Sequence, residues 1–464
     1  MPAVRADRQP LRPMGAADTN ENWPSAETLD WLSPSERSRS WGSRFRVKEW
    51  LSNSLIVIPS AYIAFVLLLA LLLSQVEGNS DMLRMEIDND TARTVLSSVA
   101  GGMIAFTGLV VSIAVVVVQF AAGQYSPRLV ARFRRDPVFK HSLGIFIAPA
   151  VFSLVILRGI GQAGSTVVPS LTIGVDFLLL GAAILSFFTL VGRLLDLLRP
   201  RKLVERLVRL GAHAATEVYP HRLGNAPPSE DAHEADPFDT HPFHGDTAVL
   251  IALDRGRLVR AAKEADVVIE LTVGVGAYLP REAPIFHIHR KESSSEVNSV
   301  DLQRSVMVGD GRTITQDPAF AIRAMVDIAI RALSPAINDP TTAVEVLDGL
   351  ETMLLALAWR DLERGRIADP EGNVRLLFPN PDWAELLDLS LTEIRLFGAG
   401  SPQVARRLRS LLEDLGAHTP DIRKAAVNAQ IGRVDSAVRL AVSDPSELAY
   451  SLTADRLGIG TVAP

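Results

Sequence analysis

Cysteine is absent from all 464 residues, which excludes disulfides, thiolate-bound zinc, iron–sulfur clusters and thiol chemistry. An excess of basic charge is missing too. The 47 Lys and Arg against 53 Asp and Glu leave a net charge of −6, so the global electrostatic ground for binding nucleic acid is lacking. No P-loop, G-x-S-x-G, H-E-x-x-H or dinucleotide fingerprint occurs, so enzymatic activity is not expected and no cofactor or metal is implied. No apolar run precedes residue 55, so a cleavable signal peptide is not expected. Residues 1–48, rich in Arg, Ser, Pro, Asp and Asn, have the composition of a disordered tail.

Hydrophobic sequence, by contrast, is concentrated before residue 195. Leu55–Leu73 is 19 residues without a charge, and Val99–Phe120 adds 22 more. At 1.5 Å per residue each approaches or exceeds the ~30 Å hydrocarbon core of a bilayer. Weaker runs follow at about 142–160 and 167–192, the last containing Asp176. Four such runs in so short a stretch predict four transmembrane helices within 49–195, and hence the lipid bilayer as a partner.

Charge orients them. Arg37, Arg39, Arg44, Arg46 and Lys48 precede the first span. Arg128, Arg132, Arg134, Arg135 and Lys140 lie between the second and third, and Arg193, Arg199, Arg201 and Lys202 follow the fourth. The loop between spans one and two is acidic, with Glu77, Asp81, Glu86, Asp88 and Asp90. The positive-inside rule then puts the N-terminus, the loop between spans two and three and everything after span four in the cytoplasm.

Span two carries Gly101, Ala105, Gly108, Ser112 and Gln119 on one stripe at three- and four-residue spacing. Such a stripe suits a close helix–helix contact within or between subunits, or a polar-lined pathway in a homo-oligomer. Arg158 and Asp176 approach from the same leaflet, so an intramembrane pair is geometrically open to them, as is an interfacial position for Asp176.

Beyond the spans, a basic amphipathic helix at 200–215 leads into a Pro-, His- and acid-rich linker, together 196–245. A small α/β module is expected over 246–312, with strands at VLIAL, DVVIELTV and PIFHIH. Its GVGAYLPREAPIF stretch is similar to the turn of barrel-sandwich carrier domains. The carriers' modifiable lysine is missing, because none occurs between Lys263 and Lys291. A helical cytoplasmic domain follows over 313–445, then a tail, 446–464. Asp317-Pro318 and Asp339-Pro340 are each an N-cap followed by proline at the first helical position. Ser334-Pro335 ends the helix between them, so RALSPAINDPTT is a polar joint between two helices. Arg323, Asp327 and Arg331 share one face of the first helix, either as a solvated stripe or as braces for the joint formed by Ser334, Asn338 and Asp339. Arg406, Arg407 and Arg409 are expected to be ordinary surface charge. The fold class is thus a mainly α membrane protein: four transmembrane helices, then a cytoplasmic α+β region of small β module plus helical bundle.

Three segments, VVQFAAGQYSPRLV, DPAFAIRAMVDIAIRALSPAINDPTTAVEVLD and FGAGSPQVARRL, resemble a family of predicted bacterial membrane proteins catalogued only as a domain of unknown function. The resemblance implies an N-terminal multi-span region and a cytoplasmic C-terminal region, and carries no activity with it. Three functions are compatible with the sequence. One is an oligomeric channel or transport-like protein with a regulatory or assembly domain. Another is a membrane-anchored scaffold or sensor taking a small anion or protein partner at the joint. The third is a membrane enzyme in which Asp327, Asn338, Asp339 and Asp348 gather around a hard cation such as Mg²⁺.

Overall fold

The computed structural model describes residues 54–78, 89–124, 136–162, 170–197, 199–224, 239–290, 294–362 and 365–459. The expected tail 1–48, the basic loop 125–135 and the linker core 225–238 lie outside them.

Four apolar helices come first: α1 (Val57–Gly78), α2 (Asn89–Gln124), α3 (Pro137–Gln162) and α4 (Ser170–Leu197). Three of them, over Asp90–Phe120, Pro137–Arg158 and Leu171–Asp196, are long and apolar enough to cross a membrane. The expectation of four spans of that length is therefore corrected to three, with α1 falling short. The apolar part of α1, Val57–Leu73, is shorter and would reach roughly 26 Å at 1.5 Å per residue. The least hydrophobic span holds the centre: 56% of the most apolar stretch of α3 is buried, against 22% for α2 and 28% for α4. Its weaker hydropathy follows from that position, since protein neighbours, rather than lipid, meet Ser142, Pro149 and Ser153. At Gly144 the missing side chain admits Tyr62, whose Cδ2 would lie 2.4 Å from a Cβ there.

Helix α5 (Pro200–Val218) begins three positions after α4 ends. It buries Leu203, Val204, Leu207, Ala215 and Val218 in the main core and leaves Arg201, Lys202 and Arg209 exposed. Its partners are α8 (Pro318–Ala332) and α9 (Pro340–Ala358), and two glycines set the spacing. Gly349 lies against Val204 and Val208, and Gly211 against Ala321 and Met353. Helices α10 (Trp383–Gly398), α11 (Pro402–His418), α12 (Asp421–Ala441) and α13 (Pro445–Leu452) complete the bundle. Leu350, Met353 and Leu411 sit fully buried at its centre.

The β region has two sheets. Strands β1 (Asp239–Pro242), β5 (Pro284–Arg290), β3 (Val267–Leu271), β8 (Val374–Phe378) and β7 (Gly365–Ala368) form one, in that order. Strands β4 (Tyr278–Leu279), β2 (Ala248–Leu253) and β6 (Val306–Gly309) form the other. Helices α6 (Arg255–Ala265) and α7 (Ser299–Arg304) pack on them. The larger sheet recruits β1 from the segment read as linker, and β7 and β8 from the segment read as wholly helical. Within it β8 runs parallel to β3, with Ile269 opposite Leu376. The GVG turn carries the chain from β3 in one sheet to β4 in the other, so it presents no carrier-like hairpin tip. Gly276 has φ +93°, and a Cβ there would strike Arg312 and Asp317.

The two regions are joined at the start of α8. The Gln316 amide accepts from Leu253 N–H (3.0 Å) and donates to Leu253 C=O (3.3 Å). Arg312 donates twice to Asp317, which in turn caps Phe320 N–H. Burial pushes the Asp317 carboxyl above its usual range, opposed by Arg312.

Candidate functional site

Polar contacts cross the α3–α4 interface. Arg193 Nε donates to Asp136 at 2.9 Å, Ser186 Oγ to Ser142 at 3.0 Å, and Ser153 Oγ to Asp176 Oδ2 at 2.8 Å. Advancing 6 and then 11 residues along α3 is matched by stepping back 7 and then 10 along α4, the register of one antiparallel pair. Asp136 also caps α3, accepting from Val138 N–H at 2.9 Å. Asp176 is 3% exposed, six residues into α4, and its Oδ1 has no hydrogen-bond partner among the described residues. An acidic side chain at membrane depth costs on the order of 3 kcal/mol, so such residues are retained for pairing or function.

The expected Arg158–Asp176 pair does not form. Arg158 is exposed at the end of α3, and Asp176 turns to Ser153 instead. Shared depth was readable in sequence; helix rotation was not. Gly101, Ala105, Gly108, Ser112 and Gln119 are all exposed, while Ala92, Leu96, Met103, Val110, Ala114 and Val118 make the buried face of α2. A Cβ at Gly101 or Gly108 meets nothing within 4 Å. The stripe therefore faces away from the other described helices, and Ser112 Oγ donates back to Gly108 C=O at 2.9 Å.

At the polar joint, Asp339 caps α9 through Thr342 N–H (3.1 Å) and Thr342 Oγ1 (2.5 Å), while its own N–H donates to Ala332 C=O. Ser334 Oγ donates to Arg331 C=O. Asn338 is exposed with φ +48°, a left-handed conformation that asparagine tolerates better than most residues. It makes the corner rather than a buried contact. Arg323 braces a different neighbour. It donates to Asp327 (2.7 Å) and, through both terminal nitrogens, to Glu393 on α10 (2.6 and 2.9 Å). Arg331 makes no ion pair among the described residues, and its Nε is buried without a partner. Asp327, Asn338, Asp339 and Asp348 do not converge: no cluster of three metal-ligating side chains occurs among the described residues.

Sequence reasoning missed a shallow cleft of about 420 Å³ beside Arg323, lined also by Asp388, Leu389, Thr392, Glu393, Arg395 and Arg433. Asp388 is taken up by Arg433 (2.5 Å) and Gln430 (2.6 Å), and Glu393 by Arg323. Arg395 makes no ion pair among the described residues, and its Nε is buried and unbonded. Burial first, then the neighbouring Arg433, lower its pKa. The expectation for Arg406 and Arg407 is overturned: they are 0% and 5% exposed. Arg407 reaches Asp348 and Glu351 on α9, and Arg406 stacks over Tyr450 at 4.1 Å. Arg409 is partly buried and pairs with Glu413 and Asp435.

Residues 52–414 match a family described as "Predicted membrane protein (DUF2254)". The chain is similar to uncharacterized proteins of Mycobacterium bovis and Mycobacterium tuberculosis. Each is 28% identical over 427 residues, which is 89% of this chain and 81% of the relative. No solved structure matches.

Proposed function

We propose a transport-type role for this chain, which belongs to the family of predicted membrane proteins (DUF2254). The observation that carries it is Asp176: an ionisable group buried between membrane helices, with one oxygen held by Ser153 and the other unbonded. Ser142–Ser186 and Asp136–Arg193 continue the polar line toward the end of α4 from which α5 departs. A buried acid of this kind suits the binding and release of a proton within the membrane. In this reading α1 crosses the bilayer as a fourth helix. The basic segments put the N-terminus and the region after α4 on the cytoplasmic side of a bacterial plasma membrane. The exposed small-residue face of α2 supports packing against a second copy, and the helical bundle regulates or assembles the complex. The role is non-enzymatic.

The test is dissipation of an imposed proton gradient by the full chain in liposomes loaded with a pH-sensitive dye. Wild type is expected to leak protons, and Asp176→Asn to fall to the level of empty liposomes. An Asp176→Asn variant that leaks like wild type, or a wild type no better than empty liposomes, overturns the reading.

Arg395 supports a second reading, a sensor that takes a small anion in the arginine cleft. Hydrogen bonds to charged groups are worth ~1.5–3 kcal/mol. Arg395→Gln is then expected to weaken inorganic phosphate or dicarboxylate binding roughly tenfold or more by calorimetry. Unmeasurable binding of these anions by wild type overturns this second reading.

A further inference from the structure

The helices of the bundle place a set of exposed apolar side chains at one end. Helices α5 and α9 run side by side in the same direction, since Gly349 meets Val204 and Val208 while Gly211 meets Met353. Their first turns are therefore neighbours. Helix α8 finishes at this end through the joint into α9. Helix α10 finishes there too, because Gly398 lies against Leu333 and against Val404 in the first turn of α11. The C-terminal segment returns to the same place: Gly458 lies against Val344, and its carbonyl accepts from Gln403 at 2.6 Å. Helix α12 runs alongside α10, with Trp383 bonded to Arg423 at their starts and Asp388 to Gln430 further on, so it also ends there.

At these helix ends Leu396 is 65% exposed, Phe397 57%, Leu440 89%, Leu457 65% and Ile459 69%. Leaving so many large apolar side chains uncovered at one end of a water-soluble bundle is unfavourable, and such patches mark interaction sites. Chain continuity says what lies opposite. Leu197 closes α4 and Pro200 opens α5, three Cα steps apart, so the start of α5 is held within about 11 Å of the end of a membrane helix. Charge agrees with that position. Arg199, Arg201 and Lys202 are exposed at the start of α5, and Arg439 is exposed beside Leu440. Of the acids at this end, Asp339 and Asp444 cap helices, Glu205 lies 3.2 Å from Arg201 and 3.9 Å from Lys202, and Glu447 is exposed.

We infer that this end of the bundle rests on the bilayer crossed by α4, with Leu396, Phe397, Leu440, Leu457 and Ile459 in the headgroup–acyl boundary and the basic side chains among anionic headgroups. Apolar side chains rimmed by Arg and Lys are the usual composition of an interfacial membrane contact.

The absence of native cysteine allows single labels in the full chain. Nitroxides at Phe397→Cys, Leu457→Cys and Ile422→Cys would be compared in vesicles of phosphatidylethanolamine and phosphatidylglycerol. Ile422, 79% exposed at the opposite end, is the aqueous reference. Labels at 397 and 457 are expected to collide more with oxygen than with a water-soluble nickel chelate, and the label at 422 to show the reverse. Aqueous behaviour at all three positions overturns the inference. So does protection of 397 and 457 from both reagents with label–label broadening, the signature of a second copy covering this end. Melting temperatures matching wild type show that the variants are folded.

Discussion

Arg406→Ala is expected to destabilise the cytoplasmic bundle by about 3–5 kcal/mol, the cost of deleting one partner of a buried ionic contact. Arg406 and Asp455 are 0% and 1% exposed, with Nη2 and Oδ2 3.9 Å apart. Arg406 Nε also donates to Thr453 C=O at 3.1 Å, and the guanidinium lies over the Tyr450 ring. Alanine would strand the carboxylate, leave the carbonyl unmet and open a cavity under the ring. Asp455 in turn accepts from Leu457 and Gly458 N–H groups, so the last turn of chain would come loose with it. Denaturant unfolding followed by the fluorescence of Trp359 and Trp383 measures the loss. A change within about 0.5 kcal/mol, typical of surface substitutions, would show that Arg406 is not the keystone of this segment.

Gly349→Leu acts on a different joint and is expected to cost roughly 1–3 kcal/mol or more through overpacking. A Cβ at 349 would already lie 2.3 Å from Val204 Cγ1 and 3.2 Å from Val208 Cγ2. Helix α5 has to move away, and α5 links the membrane helices to the bundle. Limited proteolysis at the basic residues of α5 should therefore accelerate along with the loss of stability. Val204→Ala in the same chain is expected to restore part of both, because it removes the nearest of the clashing atoms. Wild-type proteolysis of Gly349→Leu would mean that α5 is not seated through this glycine.

The helix starts were largely legible because their chemistry is local. Asp317 and Asp339 each precede a proline and each caps the helix that follows. The same dipeptide at Asp136-Pro137 and Asp444-Pro445, also with capping aspartates, marks the starts of α3 and α13 and was available to sequence reading. What failed was non-local. Strand β8 is short and gains its place from β3, about a hundred residues earlier, and β7 in turn pairs with β8. Arg406 and Arg407 resemble surface charge until the partners that bury them are known, Asp455 for the first and Asp348 and Glu351 for the second. In the membrane, the α2 stripe was recognisable by composition. That it faces away from α3 depends on helix rotation, which hydropathy does not specify. Asp176 was singled out for its charge, yet its partner Ser153 is a neutral residue in the weakest span.

The common register of the α3–α4 contacts has a mechanical consequence. Asp136–Arg193, Ser142–Ser186 and Ser153–Asp176 behave like teeth of one rack, so α4 cannot slide along α3 without disengaging all three together. One notch would be a helical turn, roughly 5.4 Å. With only two residues between α4 and α5, such a stroke would be handed to the bundle almost undamped.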